Sequence, residues 1–273
     1  MPSRVERLSN HIVRLNLEGN VCAFFVMGDD RALLVDTGYG VQPLTPLIRS
    51  ITDKPIDVVL THGHYDHVGG AGEFDHVHVP KNDRSLALAH ADRLARAEGL
   101  AANGVLVDQE ALVAPLTKSQ LVTYEPGFSF DLGGVTVRML PLYGHTRGMH
   151  CPLVEPGRTL LLGDACNSLA FMQFDEATSI EEYRDNLVEF EQRYTGLYDQ
   201  VYYSHPHNFG TKQALSEMIG LCEEVMADGF EPVDFQAALG EGVFLAKPVG
   251  ADFSRLDGGV ANMAYRPTRV FRA

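Results

Sequence analysis

No apolar run in the sequence approaches the roughly 20 residues that a membrane-spanning helix requires, so no membrane partner is expected. The opening stretch, MPSRVERLSNHIVRL, lacks the apolar core of a secretory signal, which leads to the expectation of a cytoplasmic protein. Only four cysteines occur, Cys22, Cys151, Cys166 and Cys222, and none shows CxxC spacing. Scattered in this way they read as free thiols in a reducing compartment. Basic residues are scarce: 22 Lys and Arg face 36 Asp and Glu, for a formal net charge of -14. No Lys/Arg cluster offsets this balance. An acidic surface repels phosphate backbones, so nucleic acid is not the expected partner. Repeats and low-complexity tracts are also lacking. What remains is an ordinary globular composition, 45% hydrophobic and 21% charged, over 273 residues. That length suits one large α/β domain or two small ones.

Against these absences, residues 61–70 stand out: THGHYDHVGG. Four metal-capable side chains, His62, His64, Asp66 and His67, fall within six positions. The apolar run at 56–60 leads in as a buried strand, and Gly69-Gly70 closes the stretch as a turn. The cluster then lies on a loop at a strand's carboxyl end, where α/β folds place ligands. His62 and His64 alternate and would point the same way in extended backbone, whereas Asp66 and His67 fall on the turn and aim elsewhere. That suits two neighbouring metal ions better than one.

Strand signals recur along the chain. Residues 11–15, 22–27 and 32–35 read as strands, the last ending in Asp36-Thr37-Gly38. If that strand neighbours the one leading to His62, the Asp36 carboxylate can accept the N–H of a ligand histidine. Residues 41–51 and 83–100 read as helices, and His90 within the second reads as a surface or packing residue. His76 and His78 also read as packing. Residues 100–125 carry mixed signals and look like an insertion between two halves, either a lid or a surface linker. Further strands over 135–140, 159–162 and 200–203 lead to His145, Asp164 and His205. Helices are expected over 181–193 and 212–227, and two more strands in the C-terminal segment 229–273. Strand-end runs leading to Asp36, His62, His145, Asp164 and His205 bring ligand chemistry distant in sequence toward one edge.

With these residues in hand, the chain resembles the metallo-β-lactamase-fold hydrolase superfamily. The resemblance rests on ALLVDTG, THGHYDHVGG, GHTRG, LLLGD and YYSHPH, in the family's order across most of the chain. It implies an αββα sandwich: two mixed β-sheets flanked by helices, in a single domain over residues 1–273. It also implies two divalent metal ions, with zinc expected and iron or manganese as alternatives. His62, His64 and His145 would hold the first ion and Asp66, His67 and His205 the second, with Asp164 bridging. His207 is the alternative to His205, which lies nearer its strand. Asp66 and Asp164 are the expected catalytic carboxylates. Tyr65, Tyr143, Phe171 and His207 are candidates to support the ligands or line a small-molecule pocket.

True β-lactamases of the family usually lack an aspartate at the position of Asp164. Its presence points to the esterase, thioesterase, lactonase or phosphodiesterase branches, and the leading expectation is hydrolysis of a small ester, thioester or lactone by a hydroxide shared between the metals. Phosphodiester hydrolysis is the enzymatic alternative. Iron redox chemistry and metal binding without turnover are alternatives of another class.

Overall fold

The computed structural model describes residues 5–205, 210–235 and 239–272. It falls into two compact units. One comprises residues 1–140, 152–157 and 204–206, the other 141–151, 158–203 and 207–273.

The first unit is built on a seven-stranded sheet in sequential order. Its strands are β1 (Val5–Arg7), β2 (Ile12–Leu17), β3 (Val21–Met27), β4 (Ala32–Val35), β5 (Ile56–Val59), β6 (Val77–Pro80) and β7 (Leu121–Tyr124). β1 to β4 form an antiparallel meander, and β4 to β7 run parallel. Period-two alternation puts Val13 and Leu15, Ala23 and Phe25, and Ala32 and Leu34 into one apolar cluster. Ile48 of α1 (Thr45–Arg49) and Ala87 of α3 (Arg84–His90) pack onto the same cluster. β3 is buried along nearly its whole length, so it reads as a continuous apolar run rather than an alternating one.

Two expected helices come out shorter. The one expected over 41–51 is α1 alone, with a proline in its first turn and Glu73 accepting from Leu44 N and Thr45 N just ahead of it. The helix expected over 83–100 is broken in two. Asp92, in non-helical backbone, caps α4 (Arg93–Ala102) by accepting from Leu94 N and Ala95 N, and this ends α3. The four-residue helix α2 (Tyr65–Val68) carries the second half of the histidine motif. The segment read as an insertion supplies an edge strand, β7, and its Leu112 packs on Tyr39 and Leu100.

A five-stranded sheet runs β13-β11-β10-β9-β8, with β8 (Ser129–Asp131), β9 (Thr136–Pro141), β10 (His150–Glu155), β11 (Thr159–Leu161) and β13 (Gln200–Tyr202). In the second unit, β11 and β13 are parallel neighbours. Helices α5 (Ile180–Tyr194) and α6 (Gln213–Met226) pack on each other there. The buried side of α5, Ile180, Tyr183, Leu187 and Phe190, follows helical spacing. Beyond the two expected sheets stands a third, small one, in the order β12-β16-β15-β14. It contains β12 (Ala170–Phe171), β14 (Val233–Asp234), β15 (Phe244–Leu245) and β16 (Met263–Tyr265). Among the described residues, no helix is long and apolar enough to cross a membrane.

Candidate metal centre

In the first unit, the expected adjacency of the Asp36 and His62 strands is realised. β4 and β5 pair in parallel with Val35 opposite Val59, so the loops that follow start from one sheet edge. Asp36 is almost fully buried and takes a positive φ of 63°, a left-handed conformation that Asp tolerates better than most residues. In that conformation one carboxylate oxygen accepts from Thr61 N at 2.8 Å. The other accepts from Thr61 Oγ1 at 2.9 Å and His67 Nδ1 at 2.8 Å.

These bonds set the imidazole tautomers. A carboxylate only accepts, so His67 Nδ1 carries the proton, and in the neutral ring its Nε2 is available to a metal ion. The Thr61 hydroxyl proton goes to Asp36. The same oxygen, 2.9 Å from His62 Nδ1, must therefore accept there, and His62 Nε2 is likewise unprotonated. His205 Nδ1 donates to the carbonyl of Asn20 at 2.6 Å, with the same result. His62 Nε2 lies 3.1 Å from His64 Nδ1. Two nitrogens bound to one tetrahedral ion at about 2.0–2.1 Å would sit about 3.3 Å apart, so this pair fits a shared cation. Asp66, His67 and His205 offer one donor atom each, all within 4.8 Å of one another. The Asp66 carboxylate is 3.7 Å from His67 Nε2 and 4.0 Å from His205 Nε2. Unprotonated imidazoles and a carboxylate converging in a mostly buried site form a donor set suited to first-row divalent ions.

The loops that carry these ligands are clamped from behind. Arg96 of α4, fully buried, donates to the carbonyls of Tyr39, Gly69 and Val113. Burial lowers its pKa to about 10, which leaves it charged at neutral pH. Gly69 is required at this crossing, because a Cβ there would sit 2.2 Å from the backbone of Tyr39.

In the second unit, His145 Nδ1 donates to the carbonyl of Phe171 at 2.7 Å, which again leaves Nε2 unprotonated. That nitrogen is 3.8 Å from the Asp164 carboxylate. Asp164 follows β11 three residues after Leu161, which pairs with Tyr202 of β13.

The family model of the metallo-beta-lactamase superfamily matches residues 17–205. The chain belongs to the metallo-beta-lactamase superfamily. The acyl-coenzyme A thioesterase MBLAC2 of Bos taurus is 24% identical over 234 residues, which is 74% of this chain and 81% of that protein. A probable metallo-hydrolase of Streptococcus pyogenes is 22% identical over 233 residues, covering 83% of this chain and 90% of that one. Among solved structures, an archaeal superfamily protein from Sulfolobus tokodaii superposes with a TM-score of 0.57 at 17% identity, over 83% of this chain and 90% of that one. The chain is accordingly a metal-dependent hydrolase, with mixed sheets flanked by helices and a His/Asp cluster able to bind metal ions.

Within this superfamily member, the supporting candidates separate clearly. Phe171 contributes its backbone carbonyl rather than its ring. Tyr65 stacks on Tyr39 and lies beside His64 and His90. Tyr143 packs edge-on against His150, with its carbonyl held by Asn186. His207 lies outside the described residues. The two cysteines beside the motifs are buried: burial raises the thiol pKa of Cys166 to about 12 and that of Cys151 well above its ordinary value. Neither is an activated nucleophile. His78 packs between Phe128 and Phe130 as expected.

His90 packs, as its reading as a surface or packing residue allows: its ring stacks on that of His64 with centroids 5.4 Å apart. Two contributors escaped the reading of the sequence. Thr61 sets the tautomer of His62, and its place as the first residue of the motif was the available signal. Arg96 falls on the buried side of α4 with Gly99 and Leu100, where a charged residue is unexpected.

Proposed function

We propose that the chain hydrolyses a thioester of the acyl-coenzyme A class at a dinuclear zinc centre. The observation that carries the substrate class is the similarity to MBLAC2 over most of both chains. The donor set supports the metal count. We assign His62, His64 and His145 to one ion and Asp66, His67 and His205 to the other. Asp164 would serve as a ligand to both. Seven ligands exceed what a single tetrahedral ion uses.

When bound, such an ion pair supplies Lewis acidity and lowers the pKa of a shared water to about 7. The protein's part is to hold ligands and protons in place. Asp36 keeps His67 and, through Thr61, His62 in the tautomers that leave Nε2 open. The Phe171 carbonyl does the same for His145. Asp66 is more accessible than the histidines of its motif, and we assign it to orient the attacking water. The acceptor positions are occupied by ligands rather than by a free general base, so no separate base is invoked.

A panel of acyl-coenzyme A thioesters, lactones and phosphodiesters tests the reading on zinc-loaded protein. Thioesters should be turned over with the highest kcat/KM. Preference for phosphodiesters by tenfold or more would replace the thioesterase reading and leave the metal centre standing.

A further inference from the structure

The backbone around His145 and the plane of its ring are held by different parts of the chain. Thr178 N donates to the Gly144 carbonyl at 2.9 Å, and a Cβ on Gly144 would strike the Tyr183 ring at 2.2 Å, so the loop is pinned. The ring's rotation is set by its bond to the Phe171 carbonyl. Phe171 belongs to β12, two residues long, which lies at the edge of the small sheet with β16 as its neighbour. Two bonds straddle Phe171: Ala170 N donates to Asn262 O at 2.8 Å, and Met172 N to Ala264 O at 2.7 Å. A strand this short has no register of its own, so its partner places the carbonyl.

β16 is anchored in turn. Ala246 N donates to Met263 O at 3.0 Å. The Asn262 side chain, fully buried, accepts from Lys247 N and Met263 N and donates to Lys247 O. All of this lies beyond residue 205, where the match to the superfamily ends.

We propose that Asn262 and β16, outside the family-matched segment, form a positioning element for His145. They place the carbonyl that fixes the tautomer and plane of this imidazole. The proposal rests on His145 being a metal ligand, as read above. Ligand geometry tolerates errors of only about 0.5 Å or 10–20°, so a loosened prop is felt at the metal.

Two variants of the full chain test this. Because Ala246 bonds Met263, the adjacent Ala264 peptide faces β12, and Ala264→Pro removes a donor on that side alone. Asn262→Ala loosens the start of β16 more gently and decides the matter if Ala264→Pro does not fold. The readouts are the zinc dissociation constant by chelator competition, the visible spectrum of the cobalt-substituted protein, and far-ultraviolet circular dichroism. Each folded variant should bind zinc about tenfold more weakly, with a changed cobalt spectrum and unchanged dichroism. His145→Ala separates the two readings. If it loses zinc while Asn262→Ala keeps wild-type affinity and spectrum, the positioning role is refuted and the ligand stands. If His145→Ala itself keeps full affinity, the ligand assignment fails and the proposal with it.

Discussion

Asp36 orders the candidate site through a single carboxylate. Its carboxylate answers three donors while it sits in a strained, left-handed conformation. Asp36→Ala therefore leaves Thr61 N, Thr61 Oγ1 and His67 Nδ1 without their acceptor. We expect metal affinity to fall 10- to 100-fold, as for other groups that orient ligands, and stability to drop by about 1–3 kcal/mol. Chelator competition and urea unfolding check the two effects separately. His150 gives a prediction in pH. Burial lowers its pKa from 6.5 to about 4, with a smaller opposing effect from its bond to the Gly148 carbonyl. The unfolded chain thus takes up a proton near pH 6.5 that the folded chain refuses until about pH 4. This contribution to stability is complete above pH 6.5 and is lost as pH falls towards 4, by roughly 3 kcal/mol at most. His150→Gln should flatten the unfolding free energy across that window relative to the parent chain.

Elements hold these residues through a few cross-chain clamps. Arg96 joins α4 to the loop after Asp36, to the end of the histidine motif and to Val113, and it does so through carbonyls alone. Arg96→Met keeps the bulk but leaves three carbonyls, two of them at buried bonds, short of a donor. A loss of about 2–4 kcal/mol is expected in urea unfolding, with weaker metal binding as the loops loosen. Elements also show where sequence reading works and where it stops. β3 and β4 were legible because buried strands read as apolar runs, and the α5 and α6 patterns because their spacing is helical. β7 was missed: only Tyr124 of its four residues is buried, so the apolar signal is weak. β12 and β14 were missed because two residues carry no periodicity; only their partners make them strands. The break between α3 and α4 turns on one capping side chain, Asp92, inside a helix-favouring stretch.

At the scale of the whole molecule, the candidate ligands stood out because they follow strands, or lie on the short helix α2 just after one, and carry distinctive chemistry. What tunes them did not, because Thr61, Phe171 O and Arg96 act through contacts that no local pattern encodes. The acidic surface, at -14, places no obstacle before a small substrate but repels anionic ones at long range. An acyl-coenzyme A carries phosphates, so turnover of this class should rise with added salt as the repulsion is screened. Initial rates between 10 and 200 mM sodium chloride check this.

The central claim is that the histidines and aspartates of this chain hold a catalytic metal pair. Its most direct test is to strip the purified protein with a chelator, confirm the loss by elemental analysis, and return zinc in steps while following thioester hydrolysis. Activity should be absent from the stripped protein and rise to a plateau at two equivalents of zinc per chain. Undiminished turnover by the metal-free protein would contradict the account.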